Sequence, residues 1–315
     1  MEPLADPARL LPGIPEADAV LLRRLPCLTS ATALAPLDGG ITNRNYRADT
    51  PEGIVVVRVS DLDSSLLAID REAELRNSLA AAYVGVGAPV VDHLPGQGVL
   101  VVGWIHGRTL EPHDLRDPAT LARIATACRR LHAGPRFVSD FDMFAIQQRY
   151  LRVVQERGMR LPADYLDHQG VFQRILSAMR EHPEPTVPCH NDLLAANFID
   201  DGRDIRLIDY EYAGNNEPSF ELGNIWSEST LELELLDPLV AAYWGRDRPD
   251  KVARARLWGL VSKYGWLLWA SIQESTSSIE FDFWEWGLEK YDRAVAEFRS
   301  ADLERLIDAV AAPPS

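Results

Sequence analysis

A chain of 315 residues with 46% hydrophobic and 8% aromatic content is long enough for two packed lobes and sets aside disordered and fibrous classes. Its formal net charge of −15, with no Lys/Arg run longer than a pair, argues against nucleic acid and anionic membranes as partners and makes a cationic guest the easier one. No stretch reaches about 18 uninterrupted apolar residues, Met1–Gly13 lacks the basic flank and apolar core of a secretory signal, and Cys27, Cys128 and Cys189 are too scattered for a disulfide framework or a zinc site; a cytoplasmic chain with packed thiols is expected.

From Leu37 to Val59, the segment Gly39-Gly40-Ile41-Thr42-Asn43, the stretch Asn45–Ala48, a turn at Pro51-Glu52-Gly53 and the β-branched run Ile54–Val59 predict a hairpin with a glycine-rich tip. Leu66, Leu67, Ala73, Leu75, Leu79 and Ala82 recur at roughly helical spacing, which predicts a helix over Ser64–Ala82. Short strands at Pro89–Val91 and Gly98–Val102 flank a Pro95-Gly96-Gln97-Gly98 turn. Residues 1–102 therefore read as a small N-terminal lobe of antiparallel sheet plus helix, 103–107 as a hinge, and 108–315 as a larger, mainly helical lobe. In the latter, Ala119–His132, Leu231–Tyr243, Val252–Gln273 and Phe283–Arg299 carry helical patterns. Its β signal is confined to Asn197–Ile199, a turn at Asp200-Asp201-Gly202, and Ile205–Ile208. The fold class is α+β and bilobal.

The run His190-Asn191-Asp192-Leu193-Leu194-Ala195-Ala196-Asn197 places a carboxylate five residues before an amide, just ahead of that hairpin, and Asp209 closes the hairpin's second strand. Phosphoryl transfer needs a hydroxyl oriented, its proton accepted and the phosphate charge neutralised by Mg²⁺. Hard Mg²⁺ takes oxygen donors and keeps several waters. Asp192 fits the base, Asn197 with Asp209 fits the metal site, and His190 fits a brace for the loop. Arg58 interrupts the β-branched run, which is costly unless paired. Glu74 is the expected partner, with Glu72 two positions away. Gly39, Gly40, Thr42 and Asn43 sit where bare backbone N–H groups can approach phosphate, although no Gly-Lys-Ser/Thr follows to make a Walker A loop. Trp258, Ser262, Trp266, Trp269 and Gln273 recur on one helix face, a spacing that by itself reads as core.

The H-x-D-x-x-x-x-N loop followed by a strand-final Asp resembles the pattern of protein-kinase-like enzymes. Asp209-Tyr210-Glu211 stands where protein kinases have D-F-G, and Leu194 where they often carry Lys, departures that point away from protein substrates. Leu207-Ile208-Asp209-Tyr210-Glu211-Tyr212, then Phe220-Glu221-Leu222-Gly223-Asn224, is similar to the choline/ethanolamine kinase branch, itself similar in fold to the aminoglycoside phosphotransferases; Glu221 stands where that family commonly has Asp. The resemblance spans about Leu37–Arg299. It implies ATP and Mg²⁺ as cofactors, a phosphate-covering loop at Gly39–Asn43, and Arg58 on the nucleotide phosphates. It also implies an adenine pocket within Leu100–Ile105, including Val102, Trp104 and Ile105. Trp266 and Trp269 would wall the acceptor site, where each ring over a quaternary ammonium contributes about 0.5–2 kcal/mol, and Glu211 would add longer-range attraction. The expected activity is phosphorylation of a small, cationic amino alcohol, choline or ethanolamine, by a monomer or homodimer. An aminoglycoside phosphotransferase and a non-catalytic nucleotide-binding module are the alternatives; the second is disfavoured because Asp192, Asn197 and Asp209 are all present.

Overall fold

The computed structural model describes residues 14–37, 40, 42–60 and 64–313. Helix α1 (Glu16–Leu22) leads into β1 (Ala33–Leu37), β2 (Asn43–Thr50) and β3 (Gly53–Ser60), followed by helix α2 (Arg71–Tyr83) and the hairpin β4 (Val90–Leu94) and β5 (Val99–Gly103). The five strands form an antiparallel sheet in the order β1-β2-β3-β5-β4. Alternation decides what each face carries. Val55, Val57, Val59, Val99 and Val101 pack with Leu22, Leu25 and Leu34 in one core. Their neighbours Val56, Arg58, Leu100 and Val102, paired as Val56 with Val102 and Arg58 with Leu100, share the opposite face. Arg58 is charged because its face is not the core face.

The helix expected from Ser64 starts at Arg71 instead. Ser64–Leu67 form a single tight turn, Ala68 takes a left-handed φ of 59°, and the Asp70 carboxylate then caps α2 by accepting from the Glu72 and Ala73 amides. The apolar spacing runs through this break and conceals it.

Beyond Gly103, a short β6 (Arg108–Thr109) leads to α3 (Pro118–His132), α4 (Met143–Glu156), α5 (Gln169–Glu181), β7 (Val187–Cys189), β8 (Phe198–Asp200), β9 (Ile205–Leu207) and β10 (Gly214–Asn216). The expected hairpin is β8–β9, and β6 adds a third strand to it, while β7 pairs with β10. β6, β7 and β10 correct the expectation of a single hairpin here; at two or three residues each they are too short to show a period of two. Helices α6 (Pro218–Glu228), α7 (Leu236–Trp244), α8 (Pro249–Thr276), α9 (Phe283–Phe298) and α10 (Asp302–Ala311) complete the lobe. Among the described residues no helix is long and apolar enough to cross a membrane.

Helix α8 is the axis of this lobe, buried from Leu257 to Gln273, and α6 crosses it with the two backbones in contact. A Cβ on Gly223 would lie 2.1 Å from the Ala255 carbonyl oxygen, and one on Gly259 would lie 2.8 Å from the Gly223 carbonyl oxygen. Gly223→Ala has backbone against it and no side chain to displace. We expect it to destabilise the protein by about 2 kcal/mol or more in thermal unfolding and to lower turnover as well, since α6 carries the anchors of the site described next.

Candidate active site

The chain leaves β7 at Cys189 and runs through residues 190–197 before β8, and α6 shapes this loop from below. The Glu221 carboxylate, fully buried, accepts from the backbone amides of His190 (2.7 Å) and Asn191 (2.8 Å), and the Asn224 Oδ1 accepts from the Leu193 amide at 2.7 Å. Asn191 takes a φ of 67°, a region that Asn tolerates better than most residues. Its Nδ2 donates to the carbonyls of Cys189, Tyr212 and Gly214, and its Oδ1 accepts from Asn216. His190 Nε2 lies 2.7 Å from the Ile208 carbonyl. A carbonyl only accepts, so that nitrogen carries the proton, and the ring ties the loop to the end of β9. Burial holds the His190 pKa below its ordinary value despite the nearby Glu221 charge, which suits a brace.

Asp192 follows, part-buried. Burial first, then the charges of Glu228, Asp209 and Glu211, hold its carboxyl well above the usual carboxylate range, with Lys290 opposing them. Asn197 donates its Nδ2 to the Asp192 carbonyl at 2.8 Å, which leaves its Oδ1 without a hydrogen bond among the described residues. Asp209, the first residue beyond the Ile208 brace, has a φ of 70°. Two left-handed non-glycine residues flanking one carboxylate-rich cleft are the kind of local strain that functional loops retain.

The N-terminal lobe meets this centre through Arg58, whose guanidinium pairs with both Glu74 and Asp209. Glu72, the alternative, pairs with Arg76 on the surface at 3.0 Å. Gly40 lies against Asn43, whose carbonyl oxygen would be 2.6 Å from an added Cβ; Gly39 lies outside the described residues. Thr42 Oγ1 and Asn43 Nδ2 donate to the two oxygens of Glu211 at 3.0 and 3.1 Å, and Arg71 donates to Glu211 at 3.1 Å. Here the structure departs from expectation. Glu211 was expected to attract an acceptor cation, but its side chain is 3% exposed and its charge is offset by Arg71; it clasps the lobes together. At the hinge, Val102 shares the Arg58 face of the sheet, the Gly103 amide donates to Pro89 and the Trp104 amide to Ile54. The amides of Ile105, His106 and Gly107 make no hydrogen bond among the described residues.

Trp266 and Trp269 are both buried, at 3% and 4% exposure, and both meet Tyr212. Trp269 Nε1 donates to the Tyr212 hydroxyl at 2.8 Å, and the Trp266 ring stands edge-on to Tyr212 at 5.2 Å. Trp269 also packs against Trp286 at 5.3 Å. Lys290 sits over the Trp286 ring at 4.2 Å and donates to Glu228 at 2.6 Å. Tyr212 entered the sequence reading only within the run 207–212, and Glu228 and Lys290 did not enter it. Glu228 had a signal: Glu221, Asn224 and Glu228 lie at spacings of three and four on one face of α6.

A small sheet carrying a buried Arg–Glu pair, a hinge, and a helical lobe that presents Asp192, Asn197 and Asp209 to that pair define a phosphotransferase of the bilobal kinase type. The chain belongs to the phosphotransferase enzyme family, whose family model matches residues 33–257. It is 30% identical over 286 residues to ethanolamine kinase 2 of Homo sapiens, covering 81% of this chain and 73% of that protein, and 28% identical over 286 residues to a probable ethanolamine kinase of Arabidopsis thaliana, covering 78% and 74%. Among solved structures, a choline/ethanolamine kinase family protein from Mesorhizobium loti matches with a TM-score of 0.81 at 30% identity, covering 93% of this chain and 97% of that one.

Proposed function

We propose that this phosphotransferase moves the γ-phosphoryl group of ATP to the hydroxyl of a small amino alcohol, ethanolamine or choline. The observation that carries the reading is the placement of Asp192, in a loop whose His190, Asn191 and Leu193 amides are fixed from α6 and whose Asn197 donates to the Asp192 carbonyl, with Asp209 paired to Arg58. The relatives named as ethanolamine kinases support the acceptor class. Asp192 orients the hydroxyl and takes its proton as the bond to phosphorus forms. Arg58, steadied by Glu74, faces the phosphates, and the free Ile105 amide meets the base. The donor set fits a hard divalent cation: the Asn197 Oδ1 left open by the orientation of its amide, and the Asp209 carboxylate, 32% exposed. These two residues would hold Mg²⁺, which when bound neutralises charge on the transferring phosphate. Trp266, Trp269 and Trp286 with Tyr212 form the aromatic side of the acceptor region.

The test is ADP release by the purified protein with Mg²⁺-ATP and, separately, ethanolamine, choline, thiamine, homoserine and kanamycin. Turnover with an amino alcohol supports the reading; turnover with kanamycin alone sinks it. The pH profile is a second check. Because Asp192 must be ionised to accept a proton, kcat/KM for the acceptor should rise with pH along a limb centred above the ordinary aspartate value of about 4. A limb at that ordinary value would contradict the enclosed, like-charged setting of Asp192.

A further inference from the structure

Helix α2 lies beside the sheet in sequence but with the large lobe in packing. Leu66, Leu67, Ala68 and Ile69, which lead into it, pack with the core around α4, α5 and α8, and the Tyr150 hydroxyl donates to the Leu67 carbonyl at 2.6 Å. At its other end Ala81 and Val86 are buried with Leu121 and Ile124 of α3, Leu207 of β9 and Ile225 of α6. No described residue from 64 to 88 joins the apolar core that the sheet forms with α1. Between these two runs sits Asn77, 1% exposed. Its Nδ2 donates to the Ala213 carbonyl at 2.8 Å, and its Oδ1 accepts from the Val138 amide at 3.2 Å. We propose that Asn77 is a positioning residue: it fixes α2 to the large lobe, so that the sheet moves alone and the Arg58–Glu74 pair is a contact across the moving boundary.

On the side that faces the sheet, α2 is met by the tips of long side chains. Glu74 pairs with Arg58, and Arg71 Nη2 is 3.4 Å from Asn43 Oδ1. Beside them a cavity of about 240 Å³ opens between helix and sheet, lined by Arg71 and Leu75 on one side and by Ser60, His93, Pro95 and Leu100 on the other. The interior of one rigid body holds few voids larger than a water molecule, so this joint is looser than the one behind the helix. There, Arg206 of β9 donates to the carbonyls of Val86 (3.2 Å) and Gly87 (2.8 Å), and the Leu207 amide donates to Val86 at 3.1 Å. Two residues beyond Gly87, the Pro89 carbonyl accepts from the Gly103 amide of β5 at 2.7 Å. The backbone therefore passes from the large lobe to the sheet within Ala88, where a small change of φ and ψ suffices for a hinge.

Asn77 suits this task because one short side chain satisfies a backbone donor and a backbone acceptor from two separate segments, the loop before α4 and the residue two beyond Glu211. Leaving either group unpaired is costly. Glu74 lies three residues earlier, on the same face of α2 as Asn77, and is thereby held in place relative to Asp209. Arg58 then meets two carboxylates that both travel with the large lobe, and opening of the sheet withdraws it from both at once. The placement of α2 stands apart from activity; its consequence for nucleotide binding rests on the phosphotransferase reading of Arg58.

The experiment is amide hydrogen exchange through a series of sub-denaturing guanidinium concentrations, with steady-state kinetics, on wild type, Asn77→Ala, Arg206→Met and Glu74→Gln. In wild type the amides of residues 75–83 should open with α4 and α8, at the same denaturant dependence, and after β1–β3 have opened. Arg206→Met cuts the anchor at the far end of α2 while keeping an apolar stem. In it, and separately in Asn77→Ala, exchange over 75–83 should rise about tenfold or more, with β1–β3 unchanged. Both variants should raise KM for ATP about tenfold while kcat and KM for the acceptor stay within about threefold, because an Arg58 whose partner wanders is competent for a smaller fraction of the time. Glu74→Gln should raise KM for ATP as well but leave exchange over 75–83 as in wild type, since it loses the pair and keeps the anchor. Opening of 75–83 together with β1–β3 in wild type overturns the proposal, as does exchange that neither anchor variant changes, or a loss confined to kcat. If wild type transfers phosphate to no acceptor, the functional reading fails, and the order of exchange alone decides to which body α2 belongs.

Discussion

Asp192→Asn should lower kcat by about 10³-fold or more while making the protein more stable at neutral pH. On the proposed function, loss of rate follows from losing the carboxylate that takes the hydroxyl proton, and KM for ATP should change little because the residues proposed to meet the nucleotide remain. The gain in stability follows from the sign of the pKa shift. Folding raises the Asp192 pKa, by burial and by the charges of Glu228, Asp209 and Glu211, so the native state binds this proton more tightly than the unfolded chain does. That advantage is complete below about pH 4 and is lost as pH rises through the raised value. At neutral pH the ionised side chain therefore burdens the fold, and a neutral amide removes the burden. We expect a rise in melting temperature of roughly 2 °C at pH 7.5 that vanishes near pH 4. An unchanged or lower melting temperature at pH 7.5 would mean that Asp192 is stabilised by contacts its surroundings do not show.

The second large effect falls on stability alone. Glu217, at the start of α6, accepts from Arg254 Nε (2.6 Å) and Nη2 (2.7 Å), from Trp258 Nε1 (2.8 Å) and from the Glu184 amide (3.0 Å). Glu217 is 7% exposed and Arg254 4%. Removing one partner of a buried, multiply hydrogen-bonded ion pair leaves the other charge stranded, at a cost of about 3–5 kcal/mol. Glu217→Ala should therefore lose that much in chemical denaturation. The double variant Glu217→Met/Arg254→Met, which removes both charges, should recover a good part of it. A double variant less stable than either single one would show that the pair matters for more than its mutual neutralisation.

The chemistry of this protein is legible in its sequence where the backbone must be regular for it to work. Asp192, Asn197 and Asp209 could be read because the intervals between them are fixed by a short loop and two short strands, and Arg58 because a charge in a β-branched run demands an explanation. What could not be read depends on helices meeting across long sequence distances. Whether Arg58 takes Glu72 or Glu74 turns on two positions of helix register, and the Asp70 cap that sets that register was hidden by apolar residues running through Ala68. The position of Glu211 suggested an open anion; only the folded lobes show Thr42, Asn43 and Arg71 already occupying it. Lys290 and Glu228 are 62 residues apart and meet only where α9 and α6 are brought together.

The bridges between the lobes also bear on how a nucleotide enters. Arg58 is held by Asp209, and Glu211 by Arg71, Thr42 and Asn43, so on the proposed function an incoming triphosphate would compete for an arginine that already has an anion. Its apparent affinity is the difference between two ionic pairings rather than the strength of one. Added salt weakens both pairings together, so nucleotide affinity should be less sensitive to ionic strength than for an arginine waiting alone in an empty cleft.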